Sequence, residues 1–160
     1  MTSNKSFSKK DFNAAAAHGM IYLPDVNVLI AALHPSHQFH NRALSWLESG
    51  IKFATTPITE TGFLRLSVNP AVTGNQIEVS DALASLRTLQ ADRNWRFWPD
   101  TSSLVAPMIN IDAMIGAKQI TDFQLVNLAA VNHGKLVTFD GRIPKALNSA
   151  DRNLVQVLVP

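Results

Sequence analysis

Short apolar runs separated by longer stretches of helical periodicity are the feature that most narrows the folds open to this chain. Ile21-Tyr22-Leu23, Ile51 to Thr55, Trp95 to Trp98, Leu136-Val137-Thr138 and Leu154 to Leu158 each have the length of a buried strand. Between them the apolar spacing predicts helices over Val26 to Leu33, Phe39 to Glu48 and Pro57 to about Val68. Further helices are expected from Ser80 through Leu83, Leu86 and Leu89, over Ser102 to Ile111, and over Asp122 to Asn132. Strands joined by helices require right-handed crossovers, which make a parallel sheet covered on both faces. The expected architecture is one three-layer α/β/α sandwich with a mostly parallel sheet of about five strands.

Punctuation residues agree with that order. Pro57 suits a first helical turn, and Asn69-Pro70 ends the helix it opens. Ser80-Asp81 offers a cap, Thr121-Asp122 a helix start, and Gly134 a stop just past the next helix.

Composition removes several function classes. A hydrophobic fraction of 46% and a charged fraction of 16% suit a soluble globular domain. With no cysteine, neither a disulfide framework nor a thiolate metal site is available. No apolar run approaches the ~20 residues that span a bilayer. The N-terminus has Lys5, Lys9 and Lys10, then only the short Ala14–Ala17 stretch, and so lacks the apolar length of a secretory signal. The expectation is a cytoplasmic protein in which residues 1–19 form a polar tail or extension and residues 20–160 the domain. Met20 directly precedes the first apolar run.

The formal charge of +2 resides in that first segment, where three lysines face Asp11; residues 20–160 hold eleven basic and eleven acidic side chains. If four acids surround a cation, the remaining surface is net positive by four. That is a modest lean toward a polyanion rather than a basic nucleic-acid patch.

Chemistry points to Asp25, Glu60, Asp122 and Asp140. Each has a structural reading: Asp25 as a helix cap, Glu60 as a favourable first-turn charge, Asp122 as a helix start, and Asp140-Gly141 as a turn. Together they fall after strands or near helix starts, along the carboxyl edge where parallel α/β folds place their sites. Asp25 also interrupts the apolar stretch from Ile21 to Ile30, where an unpaired carboxylate is costly. Crowded carboxylates repel, and a divalent cation relieves the conflict. All-oxygen ligation selects Mg²⁺, with Mn²⁺ as a substitute, over zinc. Such a cation suits phosphoryl transfer, since it lowers the pKa of a water and screens the developing charge. Asn27 and Thr138, two residues from Asp25 and Asp140, are placed to hydrogen-bond a carboxylate or a water beside it. His34, His37 and His40 are a weaker metal candidate.

These residues resemble the motifs of PIN-domain proteins, and in particular of the VapC toxins of bacterial toxin–antitoxin pairs. Asp25-Val26-Asn27 after the first strand is similar to the opening motif. Thr59-Glu60, followed by Gly62-Phe63-Leu64-Arg65 and then Asn69-Pro70, is similar to the second. Ile120-Thr121-Asp122 and Thr138-Phe139-Asp140 resemble the third and fourth. The resemblance spans about Ile21 to Pro144, and its specificity lies in the ordered set. It implies Mg²⁺- or Mn²⁺-dependent cleavage of RNA, a homodimer, and inhibition by a VapB-like antitoxin. Asp25, Glu60, Asp122 and Asp140 would form the acidic quartet, with Asn27 and Thr138 at its accompanying polar positions. Arg65, Lys118 and Arg142 are candidate phosphate contacts. Trp46, Trp95 and Trp98 sit in apolar patterns that favour packing over base stacking. The alternatives are a PIN nuclease or nucleic-acid-binding module with no antitoxin, and an aspartyl-phosphate enzyme. The last needs a lysine just after a late strand, where neither Lys118 nor Lys135 falls.

Overall fold

A computed structural model of the protein describes residues 19–159. The expected N-terminal tail lies outside the described residues, apart from Gly19. Strand β1 (Ile21–Pro24) is followed by helices α1 (Val26–Leu33) and α2 (His40–Leu47). Next come β2 (Lys52–Thr55), α3 (Pro57–Ser67), the short α4 (Pro70–Thr73) and α5 (Val79–Gln90). The second half contains β3 (Trp95–Phe97), α6 (Ala117–Val131), β4 (Lys135–Thr138), α7 (Arg142–Ala146), and β5 (Val155–Val157) after a 3₁₀ turn. All pairings are parallel, in the order β3-β2-β1-β4-β5. This is the expected five-stranded parallel α/β sheet.

Side chains alternate across the sheet with period two, and both faces are apolar because helices cover both. Tyr22, Phe53 and Val137 join the core beneath α1, α2, α3 and α5. Leu23, Ala54 and Leu136 join the second core, beneath α6 and the residues around Trp98 and Ile109. Trp46, 1% exposed, meets Tyr22 edge-on at 6.3 Å, and Trp98 is also buried. Both act in packing, as their sequence patterns imply.

Two glycines mark close approaches. A Cβ on Gly62 would lie 2.6 Å from Cγ2 of Val26, so α3 rests directly on the start of α1. A Cβ on Gly134 would strike the Ile21 carbonyl and the Trp98 ring.

Four local expectations need correction. Residues 102–111 are not helical. Pro107 has no N–H, and neighbouring donors go elsewhere: Val105 to Ser103 Oγ, Met108 to Asn127 Oδ1 and Asn110 to Asp151 Oδ2. Helix α6 starts five residues before Asp122, capped by Gly116, so Thr121-Asp122 lies inside it rather than at its start. Ser80-Asp81 lies inside α5, whose N-cap is Glu78. At the end of α6, His133 takes the left-handed conformation (φ 54°) instead of glycine. The N–H groups of His133 and Gly134 close a Schellman turn on Ala130 and Ala129. Gly134 is required by close packing, not by a positive φ.

Candidate functional site

In the strand order β3-β2-β1-β4-β5, the chain winds one way from β1 and the other way from β4, so the switch point lies between these two strands. The crevice beyond their carboxyl ends is the natural ligand site of such a sheet. Asp25 and Thr138 sit there. Asp25 follows β1, donates its backbone N–H to the Val137 carbonyl at 2.8 Å, and serves as N-cap of α1. Its Oδ1 accepts from the Val28 N–H at 2.8 Å, and its Oδ2 accepts from the Thr138 hydroxyl at 2.5 Å. Thr138 Oγ1 in turn accepts the Asp140 N–H at 2.9 Å. One hydroxyl therefore locks the first and fourth acidic motifs together across the switch point. The capping reading of Asp25 holds for Oδ1, while Oδ2 is turned to Thr138 across the switch point.

Asp25 is 6% exposed. Burial pushes its carboxyl up to about 6; the Thr138 and Val28 hydrogen bonds oppose that rise, and the Asp122 charge adds to it. Asp122, in the second turn of α6, is also raised, by burial and then by Asp140. Asp140 is held low, chiefly by Arg142, whose Nε donates to both of its oxygens at 2.9 and 3.1 Å and whose Nη2 donates at 2.7 Å. Asp122 thus stands close enough for its charge to meet those of Asp25 and Asp140.

Glu60 is anchored separately, in the first turn of α3. Its Oε1 accepts from the Thr55 hydroxyl at 2.5 Å and from Gln90 Nε2 at 2.9 Å. The Trp95 indole N–H donates to the same Thr55 oxygen at 2.9 Å. Thr55 and Thr138 have matching roles: each is the buried last residue of a strand, and each donates its hydroxyl to an acid. Sequence reasoning found Thr138 and missed Thr55 and Gln90 as partners of Glu60, and Trp95 as the donor behind Thr55. A threonine closing an apolar strand was the available signal for Thr55.

A cleft of about 190 Å³ opens beside this edge, lined by Lys118, Gln119, Asp122, Asp140 and Arg142 over Phe123, Ile143 and Ala146. Lys118 and Arg142 therefore reach the acidic edge. Arg65, in the last turn of α3, is exposed and does not line the cleft. Asn27 is exposed in the first turn of α1, and it is its backbone, not its side chain, that helps hold the Asp25 charge. His34, His37 and His40 are each engaged locally, with Ser67, the Phe39 N–H and the Ala31 carbonyl.

The donor set fits a hard divalent cation, because Asp25, Asp122 and Asp140 offer only oxygens, and burial, with a neighbouring carboxylate adding to it, raises two of them. Among the described residues, no group of three or more His, Cys, Asp or Glu is arranged to hold a metal ion. Arg142 occupies Asp140, while Thr138 and Val28 hydrogen-bond Asp25.

Fold and site together define a class: a parallel α/β domain with carboxylates gathered along the carboxyl edge of its sheet, at the topological switch point. No family model matches the chain. Ribonuclease VapC39 of Mycobacterium tuberculosis is 39% identical over 142 residues, covering 87% of this chain and all of the relative. Ribonuclease VapC38 of the same organism is 36% identical over 138 residues, 85% of this chain and 96% of the relative. Ribonuclease VapC44 is 36% identical over 124 residues, 76% and 87% of the two chains. The chain belongs to the VapC ribonuclease family. In fold it is also similar to a chain in the crystal structure of VapBC2 from Rickettsia felis bound to a DNA fragment from its promoter. The TM-score is 0.59 at 13% identity, over 86% of this chain and 98% of the other.

Proposed function

We propose that the protein is a Mg²⁺-dependent endoribonuclease, with Mn²⁺ as a substitute, and the toxin of a type II toxin–antitoxin module. The observation that carries this reading is the buried Asp25 at the switch point, opposed by Asp122 and joined to Asp140 through Thr138. Carboxylates held against their own repulsion in a cleft favour a functional site over a purely structural one. The names of the VapC relatives supply the reaction class.

Asp25, Asp122 and Asp140 would hold the cation, with Glu60 completing the acidic edge. When bound, the cation supplies Lewis acidity, lowering the pKa of an attacking water and screening charge that develops on the phosphate. The chain's own residues do the positioning. Val28 and Thr138 fix both oxygens of Asp25. Thr55 and Gln90 both bind Oε1 of Glu60, and neither binds its other oxygen. Lys118 and Arg142 place positive charge at the cleft mouth for the backbone of a single RNA strand. A VapB-like antitoxin and a homodimeric assembly complete the proposal; the VapBC2 complex and the VapC relatives support the first.

The test is inducible expression of wild-type protein and Asp25→Asn in a bacterial host, with sequencing of new RNA ends. Growth arrest and discrete cuts with the wild type alone are expected. Soluble wild-type protein giving neither arrest nor cuts would remove the toxin assignment.

A further inference from the structure

Arg142 differs from Lys118, the other cation lining the cleft, in how it is held. Its guanidinium makes a three-contact fork on both oxygens of Asp140, yet its side chain is 89% exposed while that of Asp140 is 28% exposed. The fork occupies the lone pairs that a cation would need. Asp140 does not depend on it for its orientation. The Arg142 backbone N–H donates to Asp140 Oδ1 at 2.8 Å, and the Asp140 N–H is fixed on Thr138 Oγ1 at 2.9 Å. The guanidinium can therefore leave while the carboxylate stays in place, because a backbone N–H still holds Oδ1 and the Asp140 backbone is itself fixed on Thr138. Such an exposed pair is held weakly, and the freed fork matches a phosphate as well as it matches a carboxylate.

Resting on the proposed metal-dependent reading of the acidic edge, we propose that Arg142 is an exchangeable counter-ion: its guanidinium neutralises Asp140 until a divalent cation takes that carboxylate, and is then released to a phosphate of the bound RNA. Metal loading and strand capture are thereby coupled through one side chain. Each partner strengthens the other, since both remove the guanidinium from Asp140, and the coupling is reciprocal. Lys118 lines the same cleft with no ion pair to either acid among the described residues, and supplies attraction without this exchange.

The experiment is calorimetric titration of Mn²⁺ into chelator-stripped, full-length wild type, Arg142→Lys and Arg142→Ala. It is paired with anisotropy of a fluorescein-labelled 2′-O-methyl RNA oligonucleotide, with and without Mn²⁺. Arg142→Lys is the informative variant, because it keeps the charge and loses the fork. The expected result is Mn²⁺ binding tightened by about fivefold or more in both variants, the lower end of ordinary coupling. Mn²⁺ should raise oligonucleotide affinity in the wild type, and Arg142→Ala should lose most of that gain. Equal Mn²⁺ affinity in wild type and Arg142→Lys would overturn the exchange, since charge alone would then explain any Arg142→Ala effect. An undiminished Mn²⁺ effect on oligonucleotide binding in Arg142→Ala would overturn the transfer to phosphate. A wild type that binds no Mn²⁺ would instead refute the metal reading itself, and this inference with it. Arg142 is exposed, so unchanged thermal unfolding of both variants confirms that they are folded.

Discussion

In protein stripped of divalent cations, Asp25→Asn should make the fold more stable at pH 8 while removing the acid central to the proposed chemistry. Burial pushes the Asp25 carboxyl up to about 6 from an ordinary value of 3.8. Two units at 1.36 kcal/mol each place the cost of its buried charge at about 3 kcal/mol. The sign follows from linkage: a folded pKa above the unfolded one means that the native state holds the proton longer. The penalty is therefore full above pH 6, shrinks as pH falls through 6, and vanishes below 3.8. Asparagine keeps an acceptor for the Val28 N–H but presents an NH₂ where the Thr138 hydroxyl needs an acceptor, a loss of about 1–2 kcal/mol. The net gain at pH 8 is about 1–2 kcal/mol, a few degrees in Tm for a chain of this size. Urea unfolding of both proteins in EDTA at pH 8 and pH 5 reads it directly. The variant's advantage should lose about half of the 3 kcal/mol term by pH 5. A variant less stable than wild type by the same margin at both pH values would refute the reasoning, because Asp25 would then carry no penalty for its charge.

Other positions give separate tests. Gly62→Ala places a Cβ 2.6 Å from the stiff Val26 side chain; it should destabilise by about 1–3 kcal/mol, and a further Val26→Ala change should recover much of that loss in an unfolding cycle. Gln90→Leu removes one of the donors to Glu60 Oε1; cleavage kinetics should show kcat falling about tenfold, from about 1.4 kcal/mol of lost positioning, with KM for RNA little changed. Gly134→Ala drives a methyl into the Ile21 carbonyl and the Trp98 ring; a Tm drop corresponding to about 1–3 kcal/mol is expected from thermal unfolding.

Much of this molecule was legible in the sequence because its three central strands, β2, β1 and β4, are buried on both faces. A run such as Leu136-Val137-Thr138, apolar and too short for a helix, fits little besides a buried strand, and the helices over Val26–Leu33 and Pro57–Ser67 carried clear local signals. The placement of Asp25, Glu60, Asp122 and Asp140 near one edge followed from parallel topology alone. The segment 102–111 had helical spacing, but its donors are claimed by Ser103, Asn127 and Asp151, the last two distant in sequence. The early start of α6 was hidden because Gly116 and Lys118 gave no apolar rhythm, and Asp122 imitated a cap. Asp122 still reaches the site because α6 begins at the carboxyl edge and descends only one turn before it. The inequality among the acids was not legible at all. It arises from Thr55 and Gln90 gathering on Glu60, with Trp95 behind Thr55, and from the Arg142 fork on Asp140, contacts that only the folded chain defines.

The most direct measurement is cleavage of total bacterial RNA by purified protein, wild type against Asp122→Asn, across a Mg²⁺ titration with an EDTA control. Discrete fragments that grow with Mg²⁺ in the wild type, vanish in EDTA, and fail to appear with folded Asp122→Asn are the predicted result. Equal cleavage by the two proteins, or wild-type cleavage that persists in EDTA, would contradict a metal-dependent reaction at this acidic edge.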